Sequence, residues 1–356
     1  MEIAAVVNSV DPTTPAANPA EATAKQEING LLYARRSPDG TFAGAAGSGA
    51  FRLAEWEPGK HASLAANPDF AGGRAFLDSI EIQMGRSDRD RLLDLELGKA
   101  DFAMLPPGEV RQARDRGIRV SASEPDELLA LVLLAGRPAT ADARVGEALS
   151  RSIDRAAIVN FILQKEGEPA GGLLPGWSSG TAFLFSTAVD VSVARALWGQ
   201  ITSSPKIALG YDAGDPLEQA VAERIVVNAR DAGITLRIQA IPGLAAASAN
   251  VDARLVRMRM NSPNPSEALG NLQTMLAPIA GWDAKSLSPE GARTGTPSAT
   301  PEQIYERERT LANGYRVVPL VWLPQVYGLS ARVRDWSTPA AGDPWPLADV
   351  WLGDAP

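Results

Sequence analysis

The stretch GSGAFRLAEWEPGKHASLAANPDFAGG, residues 47–73, indicates how the chain begins to fold. Apolar and polar residues alternate on both sides of a turn sequence, in which Pro58 and Gly59 suit the two central positions. This pattern predicts a β-hairpin, and residues 77–84 predict a third strand. No residue type suited to catalysis stands out, so we interpret the stretch as scaffold. The alternation places Phe51, Leu53 and Glu55 on one face of the first strand, and Arg52, Ala54 and Trp56 on the other.

Farther along the chain, strands and helices alternate. Residues 206–211 predict a strand, residues 216–233 an amphipathic helix and residues 234–243 another strand. This order indicates a parallel α/β unit. The sequence also predicts a strand at 2–7 and helices at 22–32, at 89–98 with Asp88 as N-cap, and at 142–164. Residues 252–260 predict an alternating strand, and residues 128–136 and 317–325 predict strands that are covered on both faces.

Composition excludes several classes of function. The 356 residues suffice for two lobes, and the net charge of −8 without a Lys/Arg block disfavours nucleic acid as a partner. The longest apolar stretch, residues 128–135, has the length of a strand, so we expect no membrane span. The chain has no cysteine and a single histidine, His61, so thiol chemistry, a His-dependent triad and a multi-His metal site are excluded. We therefore expect no metal site and no cofactor.

Four motifs together resemble a known family. They are Gly-Ser-Gly-Ala-Phe at residues 47–51, Asn-Pro-Asp-Phe at 67–70, the helix at 142–155 and Val-Val-Pro-Leu at 317–320. The chain is similar to the peptide- and nickel-type solute-binding proteins of ABC importers, which are extracellular solute-binding protein family 5, or cluster C. Each motif also has a structural role, such as the chain reversal that the glycines allow.

The resemblance implies an α/β, two-lobed periplasmic-binding-protein-like fold (type II, cluster C) with hinge strands and an interlobe cleft. Lobe I would comprise residues 1–135 plus 322–356, and lobe II residues 136–321. The chain would be the substrate-binding component of an importer, delivering a small peptide-like or other organic ligand to permease subunits. A monomer in the periplasm or outside the cell is expected. The first residues do not resemble a signal peptide, because no basic segment precedes the apolar run that ends at Val7.

Two departures from the family affect the ligand. The extra N-terminal subdomain of longer members is absent, which implies a more open pocket. The Asp that pairs with a peptide's α-ammonium in the family's Trp-x-x-Asp motif is Asn261 here, and the Trp is Met258. An amide lacks the charge that a buried ammonium needs, so weak or no binding of free peptide N-termini is expected. Arg257 and Arg259 flank this site, and either one facing the cleft would favour an anionic or sugar-like ligand, whereas both could equally be solvated strand residues.

Aromatic residues supply further candidates for the ligand site. Trp177 lies in a loop where the family often places a cleft aromatic, and Trp322, Gln325 and Tyr327 follow the late hinge strand. An aromatic ring offers a large contact area at a low cost in conformational entropy. Ordinary core packing is the competing interpretation for each tryptophan.

Two other classes of function remain open. Carboxylate pairs such as Asp88/Asp90 or Glu306/Glu308 could serve an enzyme as acid and base, but their charge-rich helices favour solvated faces, so we expect no enzyme. A degenerate binding fold acting as a protein-interaction scaffold, with no transported ligand, is the alternative to the importer component.

Overall fold

The computed structural model describes residues 33–36, 42–179, 185–202, 205–242, 250–282 and 299–354. The strand predicted at residues 2–7 and the helix predicted at residues 22–32 lie outside the described residues. The first described elements are the strands β1 (Tyr33–Arg36) and β2 (Phe42–Ala46), which pair antiparallel with each other.

The predicted hairpin is confirmed and forms a three-stranded antiparallel sheet. Strand β3 (Phe51–Glu57) pairs with β4 (His61–Ala66), and β4 pairs with β5 (Ser79–Gln83). The central strand β4 buries Ala62 completely. The single histidine, at the start of β4, is hydrogen-bonded to Glu81 across the sheet at 2.7 Å, so it is a surface strand residue.

The predicted division of faces along β3 is wrong beyond Leu53. The pairing with β4 shifts between Leu53 and Glu55, which leaves Ala54 as the extra residue of a β-bulge. Because a bulge displaces the alternation by one residue, Trp56 is half-buried like Phe51 and Leu53, while Glu55 is exposed.

A second three-stranded antiparallel sheet contains a strand from near the C-terminus. Strand β14 (Val326–Leu329) lies between β6 (Phe102–Leu105) and β7 (Arg119–Ala122). Helices α1 (Asp88–Glu96) and α2 (Val110–Asp115) flank this sheet, and their buried residues share its core. A 3₁₀ turn (Pro107–Glu109) precedes α2, and two short strands, β15 (Val333–Arg334) and β16 (Trp351–Leu352), pair with each other.

The predicted N-cap of α1 is wrong by one residue. Ser87 has extended backbone angles, and its hydroxyl accepts a hydrogen bond from the amide of Asp90 at 3.2 Å. Asp88 instead begins the first turn, where a negative charge is favoured by the helix dipole.

The largest sheet has six strands, which are β8 (Glu127–Leu133), β9 (Glu168–Pro169), β10 (Ile207–Asp212), β11 (Leu236–Ile241), β12 (Ala253–Arg259) and β13 (Val317–Leu323). Their order in the sheet is β11–β10–β12–β8–β13–β9. Strand β10 lies parallel to both β11 and β12, whereas β8 is antiparallel to β12 and β13, and β9 is antiparallel to β13. The predicted parallel α/β unit is therefore confirmed.

Strand β8 is buried on both faces, as its continuous apolar run predicts. Alternate side chains enter two different cores, one on each face of the sheet. Leu129, Leu131 and Leu133 join the first core, and Leu128, Ala130 and Val132 join the second.

Helices cover both faces of the six-stranded sheet. Three helices have buried residues in the first core: α3 (Ala143–Ser152), α6 (Val191–Gly199) and α7 (Pro216–Asp231). The π-helical turn Ile158–Ile162, which continues the short helix α4 (Arg155–Ala157), also contributes to it. The second core is covered by α8 (Pro265–Ala280) and α9 (Pro301–Asn313), and the one-turn helix α5 (Gly176–Ser179) lies near α9. A 3₁₀ turn (Pro138–Thr140) precedes α3.

Helix α8 is an element that the sequence analysis did not predict. Its first turn contains Pro265, and Pro278 lies inside it, so the segment reads as interrupted by prolines. The helix nevertheless begins at a strong N-cap, because Oδ1 of Asn264 accepts hydrogen bonds from the backbone amides of Ser266 and Glu267. Its apolar face, including Leu269 and Leu272, lies in the second core.

The single helix predicted over residues 142–164 is broken. Ile153 has extended backbone angles, and Asp154 caps a new turn by accepting a hydrogen bond from the amide of Ala157 at 2.9 Å. The break carries Arg155 into the interior, where its guanidinium donates to the carbonyl of Pro319 at 2.8 Å and to that of Ser150 at 3.0 Å. Burial lowers the pKa of Arg155 to about 10, so the side chain keeps its charge at neutral pH.

Replacing Arg155 tests this account of the break. Arg155→Ala leaves the carbonyls of Pro319 and Ser150 without their donor inside the core, so it should lower the free energy of unfolding by about 3 kcal/mol. The control is Arg151→Ala, because Arg151 makes a part-exposed pair with Glu147 and should cost less than about 0.5 kcal/mol. Urea denaturation measures both, and equal losses would contradict the proposed role of Arg155.

Candidate functional site

Two segments of the chain cross between the three-stranded sheet of β14 and the six-stranded sheet. Residues 123–126 join β7 to β8, and residues 323–326 join β13 to β14. They pair with each other as they cross, because the amide of Ser123 donates to the carbonyl of Gln325 at 2.9 Å and the amide of Asp126 donates to that of Leu323 at 3.0 Å. The crossing segments therefore form a backbone junction between the two sheets.

A buried polar pair lies in this junction. Asp126 and Gln325 are each 5% exposed, and the Gln325 amide donates to Asp126 Oδ1 at 3.2 Å. Burial raises the pKa of Asp126 to about 6, although the nearby Arg259 guanidinium and the Gln325 hydrogen bond both act to lower it. The carbonyl oxygen of Gln325, Oε1, has no hydrogen-bond partner within the structure as described. The pair thus places one buried acceptor that lacks a partner beside a carboxyl whose pKa burial raises to about 6.

The end of β12 lies next to this pair. The amide of Met260 donates to the carbonyl oxygen of Asp126 at 2.8 Å, which brings Arg259 and Asn261 to the junction. Arg259 is exposed and forms no ion pair or hydrogen bond with any residue that the structure describes. Asn261 is exposed too, and its Oδ1 accepts a hydrogen bond from Asn271 at 2.7 Å. With that oxygen occupied, this edge presents mainly donors, the guanidinium of Arg259 and the amide NH₂ of Asn261.

Arg257 is already paired. Its guanidinium contacts Glu127 at 2.7 Å and Asp215 at 2.7 Å, where Asp215 is also the N-cap of α7. Burial acts to lower the pKa of Arg257, but the two carboxylates outweigh burial and raise it. Of the two arginines considered from the sequence, only Arg259 is available to a ligand.

Besides Gln325, three of the predicted site residues are buried in this arrangement. Met258 and Trp322 lie in the second core, at 4% and 2% exposure. Tyr327 is buried against the ring of Phe102, with ring centroids 5.4 Å apart. Their role as ligand contacts stays a prediction, and core packing accounts for their present positions.

Trp177 is held against the first crossing segment. Its indole N–H donates to the carbonyl of Pro125 at 2.8 Å, and the ring is 40% exposed. The hydrogen bond occupies the polar atom of the indole, so the ring surface is what Trp177 offers to a ligand.

A buried carboxyl fixes the loop that carries Trp177. Glu308 Oε1 accepts hydrogen bonds from the amides of Leu173 at 2.5 Å and Leu174 at 2.9 Å. Burial raises the pKa of Glu308 to about 7, against the lowering effect of these two amides. The interpretation of the Glu306/Glu308 pair as a solvated helix face is therefore wrong for Glu308, which is 1% exposed. It is correct for Glu306, which pairs with Arg309 at the surface.

The sequence analysis missed Asp126, Asn271 and the structural role of Glu308. Asp126 had a recognisable signal, since it lies in the acidic sequence Glu-Pro-Asp-Glu between two apolar strands. Its partner Gln325 is 199 positions away, and nothing local in the sequence indicates that pairing.

The described residues contain neither a candidate metal site nor a candidate membrane span. No group of three or more His, Asp or Glu side chains there is arranged to hold a metal ion. Among the helices that the structure describes, none combines the length and the apolar character needed to cross a membrane.

The chain is similar to known solute-binding proteins in both sequence and fold. The family model for bacterial extracellular solute-binding proteins, family 5 Middle, matches residues 9–277. Among curated proteins, the chain is 26% identical to Protein XP55 of Streptomyces lividans over 220 residues, and 26% identical to the probable D,D-dipeptide-binding periplasmic protein DdpA of Escherichia coli over 200 residues. Each alignment covers 54% of this chain and 38% of the relative, so the chain matches well under half the length of these relatives.

Solved structures show the same fold at low sequence identity. NikA from Brucella suis, in complex with Fe(III)-EDTA, has a TM-score of 0.74 at 18% identity, covering 89% of this chain and 71% of that one. DppA from Helicobacter pylori, in complex with the peptide STSA, has a TM-score of 0.74 at 16% identity, covering 94% and 67%. The predicted two-lobed α/β fold class is confirmed.

The pH dependence of stability tests the environment of Asp126. Because burial raises the pKa of Asp126 to about 6, the folded protein binds its proton more tightly than the unfolded chain does. The contribution of Asp126 to stability is then greatest at acidic pH and is lost as the pH rises from about 4 to about 6. Relative to Asp126→Asn, the unchanged protein should lose up to about 1.4 kcal/mol per pH unit in that range, measured by urea denaturation.

Subtracting the profile of Asp126→Asn from that of the unchanged protein removes the pH dependence that other buried carboxyls contribute. Burial also raises the pKa of Glu218 and that of Glu308 to about 7, so both give slopes of the same sign in either protein and cancel in the difference. Asp115→Asn, which neutralises an exposed side chain at the end of α2, is the matched control, and it should keep the slope that Asp126 produces. Parallel profiles for the unchanged protein and Asp126→Asn would show that Asp126 is not held in a desolvated environment.

Proposed function

Because the chain belongs to family 5 of the bacterial extracellular solute-binding proteins, we propose that it captures a small organic solute between its two lobes for an ABC importer. The observation that carries the proposal is the junction of the crossing segments, where uncommitted polar groups surround a hinge of two strands. Binding would shift the protein between open and closed arrangements, and a membrane permease would recognise the closed one. The protein would act by binding and would perform no chemistry.

The division of the chain into lobes is part of this proposal. Residues 1–135 plus 322–356 would form lobe I and residues 136–321 lobe II. The membership of the sheets favours boundaries at the crossing segments themselves, which would assign β8 and β13 to the six-stranded sheet of lobe II. Rotation at residues 123–126 and 323–326 would then change the width of the cleft.

The groups at the junction favour an acceptor-rich ligand. Arg259 is exposed and unpaired within the described part of the chain, and Asn261 presents its amide NH₂. A guanidinium matches the geometry of a carboxylate, and both groups can donate to hydroxyl or carbonyl oxygens. Peptide ammonium groups would find no charged partner at Asn261. We therefore propose a small carboxylate or a sugar-like solute, with Trp177 supplying a ring surface.

Location and assembly follow from the family and belong to the same proposal. The chain would work as a monomer outside the cytoplasmic membrane, in contact with the permease subunits of its importer. Relatives in this family bind peptides or metal chelates, as the DppA and NikA complexes illustrate for those proteins.

A ligand screen combined with a charge-removing variant tests the proposal. Small carboxylates, sugars, peptides and metal chelates are screened by thermal shift, because a ligand that binds only the folded state raises the melting temperature. For an anionic hit, Arg259→Ala should weaken binding about tenfold or more, since a hydrogen bond to a charged group contributes about 1.5–3 kcal/mol. Calorimetry measures the affinity.

The control for this variant is another exposed arginine of the same sheet. Arg237 lies on β11, is exposed and has no partner among the residues described, so Arg237→Ala should leave affinity unchanged. Equal effects of the two substitutions would argue against a site at the junction. A panel with no hit at all would favour a protein-interaction scaffold.

A further inference from the structure

Two tryptophans near the C-terminus pack against the same pair of rings, in tilted or edge-on arrangements. The ring centroids of Trp336 and Trp345 lie 4.9 Å and 5.0 Å from that of Phe102, and 5.2 Å and 6.5 Å from that of Tyr327. Phe102 and Tyr327 belong to the neighbouring strands β6 and β14. The chain therefore leaves this aromatic cluster and returns to it, and residues 337–344 form a compact loop with adjacent ends. We name residues 337–344 the strap.

The tip of the strap, residues 340–343, contacts the six-stranded sheet and its second core. Ala341 is 6% exposed and lies in the second core, which covers one face of the six-stranded sheet. Gly342 packs on the backbone just beyond β12, where a Cβ at this position would be 2.8 Å from the carbonyl oxygen of Asn261 and 3.2 Å from the amide nitrogen of Ser262. The strap is thus anchored on the β6–β14 side and seated on the β12 side.

One hydrogen bond within the strap and one at its base give it a defined shape. The amide of Asp343 donates to the carbonyl of Ala340 at 3.0 Å, which closes the tip. Near its base, the hydroxyls of Thr338 and Ser121 are 2.5 Å apart. Gly342 has a φ of +84°, a conformation that residues other than glycine rarely adopt. A seated tip therefore requires glycine both for its backbone angles and for its approach to Asn261.

We propose that the strap positions Asn261 and Arg259 for ligand binding by clamping the backbone that follows β12. This inference rests on the proposed function, because it assigns a positioning role around the same site. Clamping confines the Asn261 backbone, whose side chain is exposed, and it adds a contact between the two sheets beside the crossing segments. Gly342 is a positioning residue, since it acts through Asn261 and offers no side chain to a ligand.

Hydrogen exchange in the ligand-free protein tests the clamp. Gly342→Ala introduces a Cβ that the Asn261 backbone cannot accommodate, so the tip should lift. Two amides report this change, that of Met260, bonded to Asp126, and that of Asp343, bonded to Ala340. Both should exchange at least tenfold faster in the variant.

The matched control is Gly117→Ala. Gly117 has a φ of +77°, close to that of Gly342, but a Cβ there would meet nothing within 4 Å. The two substitutions share the backbone penalty and differ in the contact with Asn261, so Gly117→Ala should leave the exchange of Met260 and Asp343 unchanged. Equal exchange in the two variants would overturn the proposal.

A milder variant covers the case in which Gly342→Ala does not fold. Ala341→Gly removes the buried methyl group that seats the tip and should accelerate the same two amides by a smaller factor. Unchanged exchange of Met260 in Ala341→Gly would count against the clamp.

Ligand affinity separates this inference from the proposed function. With a ligand identified by the thermal-shift panel, Gly342→Ala should weaken binding at least fivefold relative to Gly117→Ala. Equal affinity in the two variants would overturn the positioning role while leaving the proposed function intact. If no ligand binds either variant or the unchanged protein, the proposed function fails, and the exchange of Met260 and Asp343 still decides whether the strap clamps the backbone.

Discussion

The hydrogen bonds between the two crossing segments are the interaction on which the rest of the structure depends. Residues 123–126 and 323–326 leave one sheet and enter another, and they remain paired through Ser123, Gln325, Asp126 and Leu323 as they do so. Because both strands that lead away from this pairing, β8 and β13, are adjacent in the six-stranded sheet, a displacement at the junction is transmitted to the whole sheet. Because β8 is packed into two cores, one on each face of that sheet, the crossing segments are where the proposed rotation would occur.

The same junction explains why polar groups gather there. A chain that changes sheets has backbone and side-chain groups that neither sheet can satisfy completely, and Gln325 Oε1 is left without a partner among the described residues. The start of β8 and the end of β12 meet here, because the two strands are antiparallel neighbours. This places Asp126, just before β8, close to Arg259 and Asn261 at the end of β12. These are the groups from which the proposed solute site is built: a carboxyl, a guanidinium and two side-chain amides.

Sequence patterns predicted the elements that are determined by neighbouring residues in the chain. The hairpin around Pro58 and Gly59, the parallel α/β unit and the doubly buried run of β8 all follow from turn chemistry or from periodicity. The patterns failed where a tertiary contact decides: the bulge at Ala54, the break before Arg155, and helix α8, whose prolines concealed its cap at Asn264. At the site, Arg259 and Asn261 were found through the family motif, whereas the pairing of Asp126 with Gln325 joins residues 199 positions apart and leaves no local pattern.

The distance between the two halves in the presence of ligand tests the central claim most directly. The chain contains no cysteine, so spin labels can be placed specifically by Arg89→Cys on α1 and Arg230→Cys on α7, both exposed positions. Pulsed electron spin resonance then gives the distribution of distances between α1 and α7. With a ligand that raises the melting temperature, we expect the distribution to narrow and to shift to shorter distances, because closure at the crossing segments would bring the halves together. An unchanged distribution at saturating ligand would contradict a hinge at this junction.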